Sequence, residues 1–65
     1  MLSEAAYYSL RTISRNNSTF DVLDALADIA KENALDCDNA SLPQPAASHR
    51  RAEKELRKLA ERLSA

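Results

Sequence analysis

Asp21, Asp24 and Asp28 recur at spacings of three and four residues, which places them on one face of any helix that carries them. Paired carboxylates can do general acid–base work when a cavity desolvates one of them. The residues around them supply no such cavity. They alternate with Val22, Leu23, Leu26, Ile29 and Ala30, the pattern of an amphipathic helix whose acids meet water. Cys37 stands between Asp36 and Asp38, and two adjacent negative charges oppose thiolate formation. A dyad of Cys37 with His49 has no acidic orienter at a defined spacing and no oxyanion feature. A zinc site from the same pair and two aspartates would lack the further cysteines usual in structural sites. Asp36-x-Asp38 begins as a calcium loop does, without the glycine and glutamate that such a loop needs further on. The chain has no glycine, hence no phosphate-cradling loop. The expectation is a protein that is not an enzyme and uses no metal or other cofactor.

A second chemistry lies in charge. Net charge is -1, but the distribution is uneven. Residues 21–38 hold Asp21, Asp24, Asp28, Glu32, Asp36 and Asp38 against Lys31, and residues 49–62 hold Arg50, Arg51, Lys54, Arg57, Lys58 and Arg62. A basic helix can lie along phosphates. Glu53, Glu55 and Glu61 interleave with these bases and lower the local field, which suits a protein-facing helix better. The acidic middle and basic end can attract each other within one chain or between two, or select a partner. Candidate partner-binding residues are Tyr8, Asp21, Asp24, Asp28, Arg50, Arg51, Lys54 and Lys58. Nucleic-acid binding by the basic segment is the alternative reading.

The elements that must position these groups are helices. Ser3 is a candidate N-cap with Glu4 in the first turn. Ala6, Tyr7, Leu10 and Ile13 form an apolar face, with Tyr7 expected at a core edge and Tyr8 nearer the polar side. Asn16-Asn17 should end this helix, since Asn tolerates a left-handed stop. Ser18 to Leu35 form the second helix, opened by a capping box of Ser18 and Asp21. So short a connection predicts an antiparallel αα-hairpin or a steeply crossed pair. The second helix should fade after Asn33, and Asp36 to Ala47, with Pro43 and Pro45, reads as a loop. A third helix spans Ala47 to Leu63, with Ser48 as N-cap. His49, Ala52, Leu56, Leu59 and Leu63 make a short heptad seam for the core or an oligomer, and Arg57 can pair with Glu53 and Glu61.

The expected fold is all-α: one three-helix domain over residues 1–65, completed by oligomerisation because chains this small bury little. The expected function is that of a regulatory or adapter protein that self-associates and binds another protein. Glu4 interrupts any secretory leader, and no run of apolar residues is long enough to cross a membrane. A single Cys fits a reducing compartment. A cytoplasmic protein with no membrane partner is expected.

Overall fold

The first two helices begin where their serine hydroxyls can accept backbone protons. In the computed structural model, which describes residues 1–64, Ser3 Oγ accepts from the Ala6 N–H at 3.2 Å and caps α1, Glu4–Asn16. Ser18 Oγ accepts from the Asp21 N–H at 3.1 Å and caps α2, Thr19–Asn39. Only this arm of the expected capping box is present among the described bonds; the Asp21 side chain is one methylene shorter than the glutamate that normally reaches back. Asn17 does not stop α1 in the left-handed region. Its backbone is extended, at φ -137 and ψ 157, and its Nδ2 instead donates to the Ile13 carbonyl at 2.8 Å. A third helix, α3, covers Pro43–Ser64, and the described residues contain no strand.

The segment expected as a loop, residues 36–47, is helical except for Ala40, Ser41 and Leu42. α2 runs on to Asn39 and α3 starts at Pro43. Pro43 and Pro45 therefore occupy the first turn of α3, where a missing N–H removes nothing because those donors have no intrahelical partner. The Ala46 N–H makes a first helical bond to the Leu42 carbonyl at 3.1 Å. Ser48, expected as a cap, lies inside the helix. The turn itself is a Schellman motif: the Leu42 N–H bonds to the Cys37 carbonyl at 2.8 Å and the Ser41 N–H to the Asp38 carbonyl at 3.1 Å. The motif needs a left-handed residue, and Ser41 takes that role at φ 58.

α2 and α3 therefore form the αα-hairpin; α1 approaches α2 only slightly and makes no close backbone approach to α3. The hairpin is antiparallel, since Arg50 pairs with Asp38 while Arg57 pairs with Asp24 and Asp28. Its core is made of alanine. Ala27, Ala30 and Ala34 of α2 and Ala46 and Ala60 of α3 are the buried residues. Side chains this small let helix axes approach to the low end of the ~8–10 Å range. Half-buried Val22, Leu23 and Cys37 on α2, and His49, Glu53, Leu56 and Arg57 on α3, extend the same contact. Cys37 thus sits on a helix face rather than in an exposed loop. The heptad seam expected on α3 is only partly used: His49 and Leu56 are half-buried, whereas Ala52, Leu59 and Leu63 are exposed. Leu26 and Ile29, expected on the buried face of α2, are exposed as well.

Candidate interaction surface

The charged groups converge on one side of the hairpin. Arg57 donates from Nη1 to Asp24 Oδ1 at 3.2 Å, from Nη2 to Asp28 Oδ1 at 2.9 Å, and from Nε to Glu53 Oε2 at 3.1 Å. One guanidinium fork thereby holds two acids of α2 and one of its own helix, a geometry that Arg but not Lys provides. Arg50 is paired with Asp38 near the turn. The bond to Asp28, then that to Glu53, raises the pKa of Arg57 above its ordinary value, against partial desolvation; the bond to Asp38 does the same for Arg50. The attraction between acidic middle and basic end is thus realised within the chain. All these groups are partly exposed, so salt should weaken them. Arg57→Gln is expected to lower the melting temperature at low salt, with the difference shrinking as the Debye length falls from ~10 Å at 0.1 M to ~3 Å at 1 M. A loss that is equal at every salt concentration would assign Arg57 a packing role instead.

The opposite side of the hairpin is apolar. On α2, Val22, Leu26 and Ile29 flank the alanine stripe on the side away from Asp24 and Asp28. On α3, Leu56, Leu59 and Leu63 flank it on the side away from Arg50 and Arg57. Because Arg57 reaches Asp24 and Asp28, the two charged flanks coincide, and in an antiparallel pair the two apolar flanks must then coincide too. Leu26, Ile29, Leu59 and Leu63 are 37, 50, 42 and 54% exposed.

α1 adds a second apolar surface. It is strongly amphipathic and buries no residue. Tyr7, Leu10 and Ile13 are exposed, so Tyr7 lies at no core edge. Tyr7 and Tyr8 stack edge to face with centroids 5.6 Å apart, and the Arg11 guanidinium lies 5.7 Å from the centre of the Tyr8 ring. These contacts stiffen an aromatic and cationic patch. At the elbow Ile13 and Asn17 share a crevice with Asp21, Val22 and Ala25.

Comparison with family models, curated proteins and solved structures gives no match for this chain. The geometry alone sorts the candidate residues. Asp24, Asp28, Arg50 and Lys58 are engaged in ion pairs within the chain, Lys58 with Glu55 at 3.8 Å. Arg57 bonds to Glu53 but, among the described residues, not to Glu61. Tyr8, Asp21, Arg51 and Lys54 are exposed and make no ion pair among the described residues. His49, Ala52, Leu56, Leu59 and Leu63 do not act as one seam: the first lies toward α2, Leu56 at its border, and the rest on the apolar flank. The described residues contain no group of three or more His, Cys, Asp or Glu arranged to hold a metal, and no helix long and apolar enough to cross a membrane. Sequence reasoning missed Ala27, Ala34, Ala46 and Ala60. Their signal was present as alanines at heptad-like spacing, seven residues apart on α2 and fourteen on α3.

Proposed function

We propose that this chain is a non-catalytic adapter or regulatory protein of the cytoplasm, which self-associates and binds another protein. The observation that carries the reading is α1, an amphipathic helix with no residue buried. Its apolar face gains little from its own chain, and isolated helices of this length are marginal in water. Tyr7, Tyr8 and Arg11 are of the types favoured at protein contacts. Overall dimensions support the same reading. The radius of gyration is 13.2 Å, against about 11 Å for a compact chain of this length.

A photo-crosslinking residue in place of Tyr8 is expected to give one discrete adduct with a second protein in cells, and to lose it in Leu10→Asp, Ile13→Asp. A crosslinker at Lys31 is the control. Equal, diffuse labelling from both positions would overturn the reading.

One observation favours the nucleic-acid alternative. Arg51, Lys54, Lys58 and Arg62 recur along the outer face of α3, and only Lys58 is paired among the described residues. Titration with mixed duplex and single-stranded DNA and RNA at about 50 and 200 mM salt decides it, because each neutralised duplex phosphate adds ~0.9 to the log–log salt slope. No micromolar binding at either salt is expected. Steeply salt-dependent micromolar binding, abolished by Arg51→Ala, Lys54→Ala, would replace the adapter reading.

A further inference from the structure

We infer that the apolar flank of the hairpin is covered by the same flank of a second copy, so that two hairpins stack into a four-helix core with α1 left free at its edge. The inference rests on the self-association just proposed and names the surface that performs it.

Four observations lead there. First, the flank is continuous and apolar. Val22, Leu26 and Ile29 from α2 lie beside Leu56, Leu59 and Leu63 from α3, with Leu26, Ile29, Leu59 and Leu63 exposed. A surface that spans both helices suits another layer of helices better than a single side chain. Second, the chain carries surplus surface. It exposes 5124 Å², about 1,000 Å² above the ~4,100 Å² of a compact monomer of its size, a surplus that the flank shares with the unpacked face of α1. A standard interface removes about 800 Å² from each partner. Third, the charged side is already satisfied within the chain: Arg57 is shared among Asp24, Asp28 and Glu53, and Arg50 is held by Asp38. The apolar side is therefore the one whose desolvation costs least.

Fourth, the outer ridges are complementary. Asp21, Glu32 and Asp36 recur along the outer face of α2, and Arg51, Lys54 and Arg62 along that of α3; none is in an ion pair among the described residues. A two-fold axis parallel to the helices sets α2 of one copy over α3 of its partner. Acidic ridges then border basic ones on both edges of the stack. A two-fold axis across the helices would set like over like.

Sedimentation equilibrium of three chains tests this. The unaltered chain is expected to be a dimer, and Leu26→Asp, Leu59→Asp to raise its dissociation constant by more than ~100-fold, as the loss of two central apolar anchors would. Tyr7→Asp, Leu10→Asp, on α1 and outside the crevice that Ile13 shares with Val22, should leave the dimer unchanged. If the α1 variant dissociates and the flank variant does not, the flank is not the seam, although self-association stands. A monomeric unaltered chain at 100 µM would end both readings. Because a flank variant can unfold as it dissociates, isotope-filtered NOE spectra of a mixed-label sample of the unaltered chain provide the second measurement. Intermolecular contacts among the methyl groups of Leu26, Ile29, Leu59 and Leu63 are expected; intermolecular contacts only from α1 would overturn the inference.

Discussion

Replacing Ala27 with leucine should destabilise the hairpin by about 1–3 kcal/mol. Ala27 and Ala46 are both 0% exposed, and the other buried residues of the hairpin are alanines too. A leucine adds three carbons at a position with no free surface. The helices must separate or the side chain must leave its rotamer well, and close-packed interiors accommodate neither cheaply. Ala47→Leu is the control: Ala47 is exposed on α3, and surface substitutions usually stay within about 0.5 kcal/mol. Urea or thermal melts at one fixed protein concentration would show the contrast. Equal stability of the two variants would mean that α2 and α3 are not in close contact at Ala27.

Ser41 should respond in opposite directions to two substitutions. Its φ of 58 lies in the left-handed region, which costs an L-residue roughly 1–2 kcal/mol. Ser41→Gly removes that cost and is expected to stabilise by about 0.5–1 kcal/mol, after the greater freedom of glycine in the unfolded chain is deducted. Ser41→Val, with its branched Cβ, is expected to destabilise by about 1 kcal/mol or more. For a domain of this size each kcal/mol moves the melting temperature by roughly 4–8 °C, so the two variants should melt well apart. Identical melting would show that the turn does not depend on this residue's conformation.

The contrast between Ser18 and Ser41 shows what the sequence makes legible. A cap such as Ser3 or Ser18 acts on an N–H three positions away, so its signal is local and can be read directly. The helical identity of all three segments follows from periodicity in the same way. Pro43 and Pro45 are different. The same residues signal a loop inside a helix and a favourable start in its first turn, and only the position of the α2 end decides which applies. That end was masked because the Schellman turn uses serine where glycine would have announced it. The packing partner was hidden for a related reason. Leu26, Ile29, Leu59 and Leu63 outweigh alanine in any hydrophobicity count, yet close backbone approach favours the stripe of Ala27, Ala30 and Ala34. The Glu53–Arg57 pair was legible from i,i+4 spacing. The reach of Arg57 to Asp24 and Asp28 depends on the register across the hairpin, which no local pattern encodes.

An alanine core also sets how stability varies with temperature. The heat-capacity increment on unfolding grows with the apolar area that becomes hydrated, and the denaturant slope with the total area exposed. A methyl group contributes far less to either than a leucine side chain. The hairpin alone should therefore have a shallow urea dependence and a flat free-energy curve, with a broad melt in place of a sharp one. Its low stability would change little between cold and warm conditions.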